Sequence, residues 1–189
     1  EQHGHMDAVG YDLYCKLLNQ AVLALKGQKD RDEEDFETAV ECDIDAYIPA
    51  DYIKNEYQKL DIYKRISAIE NEEEEFDMRD ELIDRFGDIP KSVENLLTIA
   101  AMKAMAHQVY VTEAAIGRNE FKLSFYPKAK LNPEAITRVV TDYQGRLTMS
   151  FQDAPVLLWK SREKNVTVAD MVGQVKEVLK KLMEYGKEQ

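Results

Sequence analysis

The sequence predicts an α/β fold of the α+β type: a mainly antiparallel sheet packed with several helices and preceded by an N-terminal amphipathic helix. Three observations carry that prediction. The hydrophobic period switches between about 3.6 and 2 along the chain. The strand-like segments after residue 106 come as two hairpins separated by a helix, an order too irregular for a doubly wound sheet. Finally, 189 residues with 44% hydrophobic and 32% charged content suffice for the core of a globular domain but not for a motor.

Taken in order, Val9, Leu13, Leu17, Leu18, Ala21, Val22 and Leu25 recur at helical spacing until Gly27, which predicts an amphipathic helix over 9–26. Residues 28–35 lack any apolar side chain and read as an exposed linker. The expected boundaries are therefore 1–28 for the leading segment, 29–35 for an acidic linker and 36–189 for the main domain. From Phe36 to Ala46 the period is two, with Thr38, Val40, Cys42 and Ile44 on the inward face and Glu37, Glu41, Asp43 and Asp45 on the outward one. Cys42 is expected to be a core thiol. Residues 52–70 predict a helix with Ile53, Tyr57, Leu60, Tyr63 and Ile66 inward. The next helix follows Glu72–Glu75 with Phe76, Leu82, Ile83 and Phe86 inward, and Gly87 supplies a left-handed C-terminal residue. Pro90 starts another helix, carrying Val93, Leu96, Leu97, Ala100, Ala101, Ala104 and Met105 to about Ala106.

Residues 109–116 and 121–125 flank Gly117, Arg118 and Asn119 as a hairpin. Asn132 and Pro133 open a helix that closes at Gly145. Leu147, Met149 and Phe151 pair with 156–159 as a second hairpin, and Thr167 with Asp170 caps the closing helix.

Charge is unevenly placed. The net charge is −11, but residues 29–90 hold 22 acidic against 8 basic side chains while the remainder holds 14 against 17. An acidic third of that strength repels phosphate backbones and so disfavours direct nucleic-acid binding there. It reads either as a solvated surface or as a docking face for an arginine-rich partner. No apolar run approaches the roughly 18 residues of a membrane span. A basic, apolar secretory start is likewise not found, and the expected location is cytoplasmic. The two cysteines, Cys15 and Cys42, form neither a disulfide framework nor a CxxC pair.

Chemistry-bearing motifs fail one by one. The eight glycines form no phosphate-binding loop. Asp32–Asp35 follows a polar stretch rather than the buried strand that a magnesium-holding acidic box needs. His3, His5 and Asp7 lack the further ligands of a defined metal site, and His107 reads as a helix-terminus residue. The abundant carboxylates sit in a charge-dense run, not in the apolar setting that tunes an acid and a base apart. No serine or cysteine stands in a nucleophile elbow. No catalytic residue, cofactor or metal ligand is assigned.

The segment Asp80–Pro90 is the most informative. With Leu82, Ile83 and Phe86 inward, Glu81 and Asp84, three apart, point outward together, and Arg85 is placed to pair with Glu81. Two neighbouring carboxylates on a rigid helix suit an arginine fork from a partner. A solvated helix face with one internal ion pair is the other reading.

Here the residues resemble a family. Glu1, Gln2, His3, Gly4, His5 and Met6, followed by Val9, Gly10, Tyr11, Asp12, Leu13, Tyr14, Leu17 and Leu18, are similar to the tail of the translocation motif of bacterial transcription-repair coupling factors (Mfd), which is shared in weaker form with the RecG helicase. Tyr47–Pro49, Leu60–Ile66, and Glu81–Gly87 with Pro90 resemble the C-terminal domain of the same family, which RecG lacks. The motifs span residues 1 to about 97, and the rest agrees in element order. The resemblance implies a non-catalytic regulatory domain of an ATP-dependent DNA translocase in transcription-coupled repair. Such a domain packs on the UvrB-like module of its own protein, masks the surface that recruits UvrA and restrains the motor. Asp80, Glu81, Asp84 and Arg85 are then the expected contact residues, and RNA polymerase and DNA are reached only through other parts of the protein. The alternative is a DNA- or RNA polymerase-binding accessory module of the same translocase, which would need a basic groove. No membrane contact is implied.

Overall fold

Local signals set most of the helix ends. The computed structural model describes residues 36–151 and 153–187. The helix expected over 9–26, the linker 29–35 and the motif residues Gln2, Gly4, His5, Gly10 and Tyr11 lie outside the described residues. The described chain forms two compact units, residues 45–101 and residues 36–44 with 102–187. In the order of the chain the elements are β1 (Ala39–Cys42), α1 (Glu56–Ser67), α2 (Glu72–Phe86), α3 (Lys91–Gln108), β2 (Val111–Ile116), β3 (Glu120–Phe125), α4 (Pro133–Asp142), β4 (Leu147–Phe151), β5 (Pro155–Lys160) and α5 (Val168–Lys187).

In the unit of residues 45–101, asparagines start two helices. Asn55 Oδ1 accepts from the Gln58 N–H and Asn71 Oδ1 from the Glu74 N–H, which satisfies backbone donors that have no partner inside the helix. At the end of α2, Gly87 has φ 89°, a conformation that an L side chain rarely adopts. Tyr52 pins that end, its hydroxyl lying 3.2 Å from the Leu82 carbonyl and 2.9 Å from the Gly87 carbonyl. The core is aliphatic: Ile48, Ile53, Ile62, Ile66 and Ile69 meet Met78, Leu82, Val93, Leu96 and Leu97.

Four inward assignments are corrected in this unit. Tyr57, Leu60, Phe76 and Ile83 are exposed. Helix α1 starts at Glu56 and not at 52, and buries Lys59, Ile62, Tyr63 and Ile66; α2 buries Glu75, Met78 and Leu82. Each helix carries two apolar flanks, and the flank that meets the rest of the core is the one closed by these residues.

The second unit is a five-stranded sheet in the order β1-β2-β3-β5-β4. Only β1–β2 is parallel, so the sheet is mostly antiparallel, as expected. Val111, Ala114, Ile116, Phe121, Leu123, Phe125, Leu147, Leu157 and Trp159 are its buried strand side chains; α5 packs over β2 and β3, and α4 over α5 and β4. Asn132 caps α4, and Thr167 and Asp170 exchange side chain-to-backbone bonds at the start of α5, as the sequence predicts. The strand expected over 36–46 is shorter, because β2 ends at Ile116, which pairs with Cys42. Its period-two burial nonetheless continues through Ala46. Met149 and Phe151 are exposed because β4 is an edge strand paired on one side only.

At the start of β1, Phe36 is stacked between His107 (centroids 4.6 Å apart) and Tyr126 (4.8 Å). The Phe36 carbonyl oxygen lies 3.2 Å from His107 Nε2, and the Thr38 hydroxyl donates to the Val111 carbonyl at 2.7 Å. His107 thus closes a helix end, as the sequence suggests, and also holds the beginning of the sheet. Burial, reinforced by Asp43, pushes the Cys42 thiol up to about 11, so it stays protonated and is not a nucleophile at neutral pH.

Candidate functional site

The outer surface of α2 is where the sequence placed the contact residues. Glu81 does not project freely. Both its carboxylate oxygens are held in a fork by Arg65 of α1, one bond being 2.6 Å, and Arg85 Nη1 donates to Glu81 Oε2 at 3.0 Å. The pairing with Arg85 follows from i,i+4 spacing. The pairing with Arg65 joins residues 16 apart in sequence, and no local signal announces it. Hydrogen bonding from Arg65 holds the Glu81 carboxyl well below the ordinary carboxylate range, at about 2, with Arg85 adding to the effect and partial burial opposing it.

That shift gives stability a pH dependence with a definite sign. The folded value lies below the unfolded one, near 4.3. The contribution is therefore complete above about pH 4.3 and is lost as pH falls through about 2. Both partners are a third or more exposed, so solvent screening limits the pair to about 1 kcal/mol or less. Arg65→Met is expected to lower the urea midpoint at pH 7 and to converge with the parent protein near pH 2. An offset unchanged between those pH values would contradict the assignment.

Asp80 and Asp84 are different. Both are exposed, and neither carboxylate makes a hydrogen bond or ion pair with another described residue. They share a face with Glu73, Phe76 and Ile83, since positions three, four and seven apart stack on one side of a helix. Phe76 is 60% and Ile83 45% exposed, so the stripe interleaves carboxylates with two large apolar side chains and contains no cation. The expected pair Glu81 and Asp84 is thus divided: Glu81, forked by Arg65, braces α1 against α2 with Arg85 beside it, and Asp84 with Asp80 faces solvent.

Sequence reasoning missed the charged network behind this stripe. Arg79 Nη1 donates to Glu94 Oε1 at 2.6 Å and Nη2 to Glu75 Oε1 at 3.3 Å, joining α2 to α3, and Glu75 is only 3% exposed. The i,i+4 spacing of Glu75 and Arg79 was the available signal. Among the described residues, no group of three or more His, Cys, Asp or Glu is arranged to hold a metal, and no helix is long and apolar enough to cross a membrane.

A family model described as the TRCF domain matches residues 42–136, half of the chain and the whole of α2. The chain belongs to the TRCF domain family. This TRCF domain is 42% identical over 129 residues to the transcription-repair-coupling factor of Staphylococcus haemolyticus (strain JCSC1435), covering 68% of this chain and 11% of that protein. It is 46% identical over 108 residues to the transcription-repair-coupling factor of Bacillus subtilis (strain 168), covering 57% of this chain and 9% of that protein. The chain therefore spans only 11% and 9% of the lengths of these curated relatives. A crystal structure of the C-terminal domain of transcription-repair coupling factor has the same fold, with a TM-score of 0.72 at 22% identity, covering 82% of this chain and 96% of that one. The TRCF domain is thus a domain of transcription-repair coupling factor, as the resemblance implied.

Proposed function

We propose that the chain is a non-catalytic regulatory domain of a transcription-coupled DNA repair translocase. It packs through α2 on the UvrB-like module of the same protein, masks UvrA recruitment and restrains the motor. The observation that carries this reading is the outer stripe of α2, where Asp80 and Asp84 are unpaired among the described residues and flank exposed Phe76 and Ile83. A soluble helix face that places large apolar side chains between carboxylates suits a surface of arginines with apolar neighbours. Glu81, pinned by Arg65 and Arg85, holds α2 against α1 and is itself a contact through its remaining exposed edge. In this reading RNA polymerase, and the DNA along which the motor moves, are engaged by other parts of the protein, and no cofactor is needed.

A charged lock suits a regulator because it is reversible. A few kcal/mol of bias keeps an open state rare, and a competing interaction of similar size releases it. Reversing Asp80 and Asp84 to lysine in the full-length protein is expected to raise UvrA binding about tenfold or more. The Arg65–Glu81 brace is untouched by that change, so the domain still folds. Pull-down of UvrA with the full-length variant reads the result, and unchanged UvrA capture would refute the role given to this face.

A further inference from the structure

One end of the sheet gathers basic side chains from β3, from β5 and from the residue that leads into β4. Lys122 of β3 lies opposite Leu158, and Lys160 lies two residues further along β5. The Lys160 N–H donates to the Arg146 carbonyl at 3.1 Å, which extends the β4–β5 ladder one residue beyond the Leu147 and Trp159 pair. Alternate residues of a strand share a face. Lys122, Lys160 and Arg146 therefore stand on the face opposite Phe121, Trp159 and Leu147, which are buried. Arg118, Arg162 and Lys164 border the same end: the Ser161 N–H donates to the Asn119 carbonyl at 2.7 Å, and Arg162 Nη2 lies 3.5 Å from the position a Cβ on Gly145 would take.

All six cations are exposed, and none forms an ion pair with a described carboxylate. Glu120, which lies opposite Lys160 on the same face, and Glu163 are the carboxylates in these segments, which leaves six cations against two. Residues 36–44 with 102–189 carry 14 Lys and Arg against 13 Asp and Glu, so the unit as a whole does not repel an anion as residues 29–90 do. We propose that this basic end of the sheet docks the phosphate backbone of duplex DNA. The surface uses none of the α2 residues, and the proposal stands whether or not the α2 stripe meets a UvrB-like module.

Chemistry narrows the partner to duplex DNA. Single strands are held by stacking on exposed aromatics, yet the aromatic side chains of these strands, Phe121, Phe125, Phe151 and Trp159, all stand on the other face. Lysine and arginine on a flat sheet contact phosphates and read no bases, so binding is independent of sequence. Three adjacent strands place the cations across about 10 Å, a span suited to phosphates bordering the roughly 12 Å major groove of B-DNA. The narrow, deep major groove of A-form RNA offers no such spacing.

The test is fluorescence anisotropy with the whole chain and a short fluorescein-labelled DNA duplex of arbitrary sequence. Neutralising about four phosphates predicts binding that weakens about a hundredfold between about 50 and 200 mM salt. Arg146→Glu with Lys160→Glu is expected to raise Kd at least about tenfold at low salt. Lys128→Glu with Lys130→Glu, an equal charge change between β3 and α4, is expected to raise it less than about twofold. Lys122→Gln with Arg162→Gln gives a milder second variant, and circular dichroism checks the fold of all three. The proposal is overturned by no binding at low salt, by equal losses from the two reversal pairs, or by tighter binding of single-stranded DNA or duplex RNA.

Discussion

Phe121→Ala is expected to destabilise the sheet unit by about 3–5 kcal/mol, a typical cost for truncating a fully buried aromatic. Phe121 is fully buried on β3, a strand paired on both sides, with Ile116 and Trp159 as its cross-strand neighbours. Its ring lies parallel to that of Trp159, 5.6 Å between centroids, and Tyr143 meets the other part of Trp159 edge-on at 5.0 Å. Removing the phenyl ring opens a cavity under three strands and takes away a stacking partner, which adds to the area term. Trp159 is the only tryptophan, so its fluorescence in a urea titration reports this unit directly. Phe121→Leu keeps most of the volume and is expected to cost less than about 1.5 kcal/mol. A loss below about 1 kcal/mol for the alanine variant would mean that the site collapses around the gap.

The second large effect concerns Arg79. Its guanidinium bridges Glu75 on its own helix and Glu94 on α3, and its Nε is buried without a hydrogen-bond partner. Arg79→Met leaves the buried Glu75 carboxylate without that cation and is expected to cost about 3 kcal/mol, since half of a buried pair is worse than none. Arg79→Met together with Glu75→Leu is expected to recover most of the loss, because an apolar pair of similar volume needs no desolvation. Urea unfolding followed by far-ultraviolet circular dichroism measures the cycle. Equal instability of the single and double variants would show that the apolar replacement does not fit between α2 and α3.

These sites mark where local sequence stops being informative. The starts of α4 and α5 were legible because Asn132, Pro133, Thr167 and Asp170 act on backbone groups within three residues of themselves. Both hairpins were legible for the same reason. The inward side of α1 and α2 was not, since Tyr57 and Phe76 are as apolar as the residues that are buried, and the choice between flanks is made by distant packing. The parallel pairing of β1 with β2 joins residues more than 70 apart, and an alternating pattern carries no information about its neighbour. At the candidate site, Asp80, Asp84 and the Arg85 pairing were readable from helical spacing. The Arg65 fork was not, and it changes the part Glu81 plays from a free carboxylate to a brace.

The Phe36 stack has a mechanical consequence. Any pull on the chain ahead of residue 36 enters the sheet unit at a ring gripped by His107 and Tyr126, then passes to β1 through the Thr38 bond to Val111. Beyond that anchor, β1 is joined to β2 by a parallel ladder from Ala39 to Cys42, so tension along the strand loads these pairs together in shear and does not open them in turn. The sheet unit is in this sense built to bear traction at Phe36, where the ring stack and the parallel ladder share the load.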